Sequence, residues 1–195
     1  MAWECQILIT LNNKGGCVFV AKANPNMYEN LKMNRHNAVH CAVGSEDKLE
    51  VQFNIVNLKA QGGNETAISG LRIDQRLYDD HMFLQPEVRQ VNVPMMTLDT
   101  ILLKYPAIDK IDFLSIDVEG TEVDVMKGFD IQKWMPLVIV LENNYNDKSY
   151  EDYMSSVGYK KALRNVVNDF YIKNEPRRSS IRFRESLCKW LCRYV

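Results

Sequence analysis

Two apolar runs constrain this chain most: "IDFLSID" at 111–117 and "PLVIVLE" at 136–142, each ending on an acid. A near-continuous apolar run of this length is a strand covered on both faces, as in a parallel sheet flanked by helices. Parallel neighbours need a crossover of a dozen or more residues. The intervening "VEGTEVDVMKGF" supplies one, with "TEVDVMK" as a short helix closed by Gly128.

The same alternation runs through the chain. "VFVAK" predicts a buried strand, followed by a helix over "MYENLKMN" and a second strand in "AVHCAVG". "KLEVQFNIV" alternates apolar and polar residues, as a half-exposed strand does. In "RQVNVPMMTLDTILLKYP", Val91 and Val93 fit a strand and Thr97 is a plausible N-cap. Asp99 suits the positive end of the helix dipole, and Leu98, Ile101, Leu102 and Tyr105 form one apolar face. Residues 57–70, with Gly62-Gly63, read as a mobile loop of the kind that covers a site. "KSYEDYMSS" predicts a helix before Gly158, and "YKKALRN" with "NDFYIKN" an antiparallel pair. The expected fold is a Rossmann-like α/β domain over residues 1–175. Its sheet is mostly parallel with an antiparallel last strand, and "VFVAK", "AVHCAV", "DFLSID" and "LVIVLE" are interior strands.

Ligands of such sheets bind outside the carboxyl ends of the strands. Asp117 and Glu119 stand at one such end and Glu142 at a neighbouring one, with Asn143, Asn144 and Tyr145 beside it. These acids can cap a helix, bind a hydroxyl or ammonium, or act as a base. Gly120 allows a sharp turn and close approach. Glu122 and Asp124 are accounted for by the helix dipole alone.

Charge excludes some functions. The formal net charge is −1, which argues against nucleic acid as a partner. Residues 177–195 nevertheless carry six Lys/Arg against one acid. Wound as a helix, this tail gathers Phe183, Leu187, Trp190, Leu191 and Tyr194 on one face. The tail, 176–195, is read as a basic amphipathic helix that packs on the domain, with membrane-surface attachment as the lesser alternative. The five cysteines, an odd number with three in apolar runs, are read as reduced thiols. With no signal peptide, this points to a cytoplasmic protein. No metal site is predicted. His36 and His40 lack the H-E-x-x-H frame, and no nucleophile elbow or phosphate loop occurs.

At this point the segments "VNVPMMTLDTILLKY", "IDFLSIDVEGTEVDVMKGFD" and "PLVIVLENNY" resemble the FkbM family of S-adenosylmethionine-dependent methyltransferases. "ANPNMYENLKMNR" and "NAVHCAVGSED" resemble the segment upstream of these in the same family. The resemblance covers roughly 17–173. It implies the class I methyltransferase fold, S-adenosylmethionine as donor, and O-methylation of a small molecule or sugar hydroxyl. It implies a cofactor ribose near Asn24 and Pro25, adenine near Ala42, Val43 and Gly44, and the methionine moiety near Asp117 and Val118. Asp117, Glu119 and Glu142 would face the acceptor as catalytic groups. No oligomeric state is implied.

Two departures from the family bear on activity. The family carries a strand, a glycine motif and a helix before this region, whereas only "MAWECQILITLNNKGG" precedes Cys17. "QILIT" can be a strand, but Leu11 to Gly16 is too short for a parallel crossover, so "NNKGG" reads as a hairpin turn. The domain is therefore expected to be amino-terminally incomplete. Lys22 stands where the family has an acid that accepts the ribose hydroxyls, and a lysine can only donate. Weakened or lost cofactor binding follows. The alternative function is a degenerate, non-catalytic binding protein on a methyltransferase fold.

Overall fold

A computed structural model describes residues 6–11, 17–35, 37–58, 64–65, 68–105 and 111–174. The basic tail lies outside them, as do Cys5, His36 and the "NNKGG" turn itself.

The larger sheet has seven strands, in the spatial order β10-β11-β9-β8-β1-β2-β3. Its centre is β1 (Gln6–Leu11), β8 (Phe113–Asp117) and β9 (Val138–Glu142). β2 (Cys17–Lys22) and β3 (Ala38–His40) lie to one side, with β10 (Tyr159–Asn165) and β11 (Asn168–Lys173) on the other. β8 and β9 pair in parallel, as do β2 and β3. β10, β11 and β9 are joined antiparallel, as the sequence predicts.

The sheet is mixed rather than mostly parallel, and the reason lies at its centre. β1 pairs antiparallel with β2 on one side and with β8 on the other. Only five residues separate β1 from β2, so a hairpin is the only connection the chain can make there. β2, β3, β8 and β9 still run in one direction, so their carboxyl ends share one edge. β1 starts at that edge, with Gln6 opposite Asp117.

"AVHCAV" does not form one interior strand. It breaks at Cys41 into β3, at the margin of the large sheet, and β4 (Ala42–Val43), which pairs with β7 (Pro86–Met96). Two sheets compete for its halves: Val39 pairs with Ala21 and Ala42 with Met95. β7 and β5 (Lys48–Leu58) form the long antiparallel ribbon of a second, four-stranded sheet, closed by β6 (Asn64–Glu65).

Six α-helices connect these strands in the described residues. α1 (Pro25–Asn34) is capped by Asn24 and α2 (Gln75–Asp80) by Asp74; each cap side chain accepts a backbone N–H two residues on. α3 (Leu98–Leu103) is capped by Thr97 and buries Leu98, Ile101 and Leu102. α4 (Glu122–Lys127), α5 (Ile131–Trp134) and α6 (Lys148–Ser156) follow. α2 and α5 are short and have no apolar period that a sequence pattern would show. Tyr105 lies just beyond α3 and packs its ring edge-on against Phe19, 4.7 Å between centroids. Asp99 does more than answer the dipole: it accepts from the Trp134 indole at 2.8 Å and from Asp130 N at 3.0 Å. No helix among the described residues is long and apolar enough to cross a membrane.

The largest cluster of the core is built from Ile7, Ile9, Leu114, Ile116, Ile139 and Leu141 on the sheet and from α3, α4 and α6. Gly128 shows how tight it is. A Cβ there would lie 2.5 Å from Gly44 O and 2.9 Å from Ser45 Cα. Both are backbone atoms and cannot swing aside. Gly128→Ala is expected to destabilise the fold by about 1–3 kcal/mol, read as a lower urea midpoint. An unchanged midpoint would show that the 44–45 turn yields freely.

Candidate functional site

The "DVEG" stretch leaves β8 through two consecutive residues with positive φ, Glu119 at 60° and Gly120 at 94°. Glycine adopts this region freely and glutamate does so at a cost of about 1–2 kcal/mol. The turn aims Val118 N and Gly120 N inward. Both donate to the Glu122 carboxylate, at 3.0 and 3.1 Å. The Tyr150 hydroxyl donates to the same carboxylate at 2.6 Å. Glu122 is fully buried. It is thus the anion that holds the loop, a role that the sequence reading, which gave it only to the dipole, did not assign. Asp124 behaves as expected of a surface acid and pairs with Lys127 and Arg72.

With the loop fixed, Asp117, Glu119 and Glu142 each present a carboxylate oxygen, all within 4.8 Å of one another. Asp117 and Glu119 are buried and Glu142 half-buried. Burial pushes the Asp117 carboxyl up to about 9, helped by the Glu142 charge and a hydrogen bond to it. Their hydrogen bond raises Asp117 and lowers Glu142. Burial pushes Glu119 up to about 10, reinforced by the charges of Glu142, Asp117 and Glu122. Lys22, at the end of β2 and only 5% exposed, opposes both shifts with its positive charge. Asp117 Oδ1 and Glu142 Oε2 are buried and have no hydrogen-bond partner.

Two clefts flank this cluster. One is apolar and is lined by Ala42, Val43 and Val118 together with Ile7, Ala23 and Phe53. The other is polar and is lined by Glu119 and Glu142 with Arg76, Asn144, Tyr145 and Tyr150. Of the residues that the sequence reading assigned, the structure therefore gathers Ala42, Val43 and Val118 on one side. It places Glu119 and Glu142 on the other, with Asp117 between. Asn24 lies at the end of β2, buried, its Nδ2 without a partner. Pro25 is the first residue of α1. Gly44 packs against Met95, where a Cβ would meet Sδ at 2.6 Å. Neither Pro25 nor Gly44 lines the apolar cleft. His40 binds the Ala23 carbonyl at 3.0 Å and stacks on Tyr28. Cys41 is a buried free thiol, pushed up to about 12 by burial.

The sequence reading missed Arg76. From α2 it donates to both Asp147 oxygens, at 3.2 and 2.8 Å, and to Asp74 Oδ2 at 2.9 Å. Its guanidinium lies 4.1 Å from the Tyr145 ring centroid. Tyr145 in turn donates to Asp80 at 2.7 Å. These contacts strap the 74–80 segment across the end of β9 and form one wall of the polar cleft. Asp74 is a helix N-cap by sequence pattern, and that was the available signal; the partner Asp147 is 71 residues away.

The arrangement can do acid–base and recognition chemistry on a hydroxyl or a cation. The chain matches a known family. The model described as the Methyltransferase FkbM domain matches residues 4–161. A relative called Methyltransferase 1, from Beauveria bassiana (strain ARSEF 2860), is 29% identical over 102 residues. The matched stretch covers 50% of this chain and 39% of that relative. No solved structure matches the chain.

Proposed function

Because the chain belongs to the FkbM methyltransferase family, we propose that it transfers a methyl group from S-adenosylmethionine to a hydroxyl of a small molecule or sugar. The observation that carries this reading is the carboxylate cluster set between an apolar and a polar cleft at the strand ends. The apolar cleft at Ala42, Val43 and Phe53 suits an adenine, and the unpartnered Asn24 Nδ2 suits an acceptor atom beside it. The lining fits the adenine of the cofactor and fits its ribose diol poorly, since Lys22 offers no acceptor. When bound, the cofactor supplies an activated methyl group.

The chain's own residues do the rest. Arg76, Asn144 and Tyr145 shape the polar cleft and orient the acceptor, which is where positioning gains rate. Glu142 would take the proton of the acceptor hydroxyl, and water would later take that proton away. Asp117, hydrogen-bonded to Glu142, holds that carboxylate in place. A carboxylate with a raised pKa is a better base at neutral pH than an ordinary one.

Lys22 sets the affinity. Its buried charge opposes the cofactor's sulfonium and ammonium groups, so the chain is expected to bind S-adenosylmethionine weakly, at about 100 μM or above by calorimetry. Lys22→Glu should tighten binding by about tenfold or more, and Lys22→Gln by less. Low-micromolar binding by the unaltered chain would sink this account of Lys22. A second reading, a binding protein without turnover, is favoured by one observation: β1 places Ile7 in the apolar cleft. Failure of the unaltered chain and of both variants to bind at millimolar cofactor would decide for it.

A further inference from the structure

We propose that Asp117, Glu119 and Glu142 form a binding site for one divalent cation of the hard, oxygen-preferring class: magnesium, manganese or calcium. The three donors are carboxylates from two adjacent strand ends, with ligand oxygens within 4.8 Å of one another. Oxygens facing each other across such an ion stand about 4.2 Å apart for magnesium and about 4.6–5.2 Å for calcium. The cluster needs little movement to close on either. All-oxygen donors suit the hard cations, and zinc is disfavoured because no His or Cys joins the cluster.

A cluster of acids alone would not carry this. The second observation is that Asp117, only 9% exposed, leaves Oδ1 without any hydrogen-bond partner, and Glu142 leaves Oε2 in the same state. A buried carboxylate oxygen without a donor costs free energy unless something arrives to meet it. Glu122, beside the cluster, is tied into backbone and tyrosine donors and is not one of the three ligands. The remaining coordination positions open toward the polar cleft, beside Asn144 and Tyr145. They would be filled by water or, on the transfer reading above, by the acceptor's oxygen.

The site is tested with the ion alone, so it does not depend on methyl transfer. The full chain, stripped with chelator, is titrated with manganese(II) by calorimetry and by the loss of the free-ion paramagnetic signal. One ion per chain is expected to bind, with a dissociation constant below about 1 mM. Asp117→Asn and Glu142→Gln should each weaken it about tenfold or more. Glu46→Gln, at an exposed acid, should leave it unchanged. Magnesium or calcium should displace the manganese. No saturable binding overturns the proposal, as does binding that Asp117→Asn and Glu142→Gln leave intact. Methyl transfer that proceeds unchanged in chelator while the ion still binds would leave the site standing and detach it from the reaction.

Discussion

Glu122→Leu is expected to destabilise the domain by about 3–5 kcal/mol, a large fraction of a total that is about 5–15 kcal/mol for natural domains. The substitution leaves Val118 N, Gly120 N and the Tyr150 hydroxyl without an acceptor inside the fold. Each orphaned buried donor costs about 1–3 kcal/mol. Part of this is returned, because the carboxylate's own burial penalty disappears; burial is the main force raising its pKa. Tyr150→Phe removes one donor together with its need for an acceptor, so it should cost only about 1 kcal/mol. A double-mutant cycle in urea then reads the coupling between Glu122 and Tyr150. Additive costs would show that the 2.6 Å bond carries no energy. Glu122→Gln keeps one acceptor oxygen and should fall between.

A second large effect concerns pH. Asp117 and Glu119 titrate at about 9 and about 10 in the folded chain, against about 4 in an unfolded one. Between those values the folded state holds protons that the unfolded state has released. Stability is then present in full below about pH 4 and falls as pH rises toward 9. Each proton contributes a slope of up to about 1.4 kcal/mol per pH unit. The groups facing Asp117 are Lys22 on β2, Glu119 on its own loop, Glu122 on α4 and Glu142 on β9. Only Lys22 pulls the other way through its charge. Asp117→Asn removes one of the retained protons. In chelator-treated buffer the variant should exceed the unaltered chain by more than about 1 kcal/mol at pH 8, with the gap closing near pH 5. A parental stability that climbs from pH 5 to pH 8 would contradict the burial of this cluster.

Asp169 acts in the opposite sense and in a different range. Burial pushes its pKa up, but hydrogen bonds from Arg164, Asn143 and Lys161 outweigh that and hold it below the usual carboxylate value. Its contribution is present above about pH 4 and is lost as the medium becomes more acidic than its folded pKa.

What the sequence made legible follows from which interactions are local. Leu114, Ile116 and the run Val138–Leu141 are covered on both sides of the sheet, so their apolar pattern is unbroken and their strands were evident. β8 and β9 run in parallel, so placing Asp117 and Glu142 at one edge followed directly. Connection length alone identified the β1–β2 hairpin. Other features depended on distant partners. A glutamate in a helix's first turn looks the same whether it answers the dipole or, like Glu122, gathers two backbone amides and a tyrosine 28 residues away. Arg76 gave no sign of Asp147. The break in "AVHCAV" has no glycine or proline to mark it, because two sheets rather than the local chain impose it.

The placement of β1 also dictates an order of assembly. Its flank with β2 closes across only five intervening residues, an event on the microsecond scale for hairpins. Its other flank waits for β8, since Ile7 pairs with Ile116. A chain emerging from the ribosome therefore carries an open strand edge until β8 has been made. Such an edge is where newly made chains stick to one another. Closing that long loop also raises the average sequence separation of the native contacts, and domains of that kind fold slowly. The seam between β1 and β8 is where the two halves of the sheet become one object, and the rate of that zippering sets how long a nascent chain stays vulnerable.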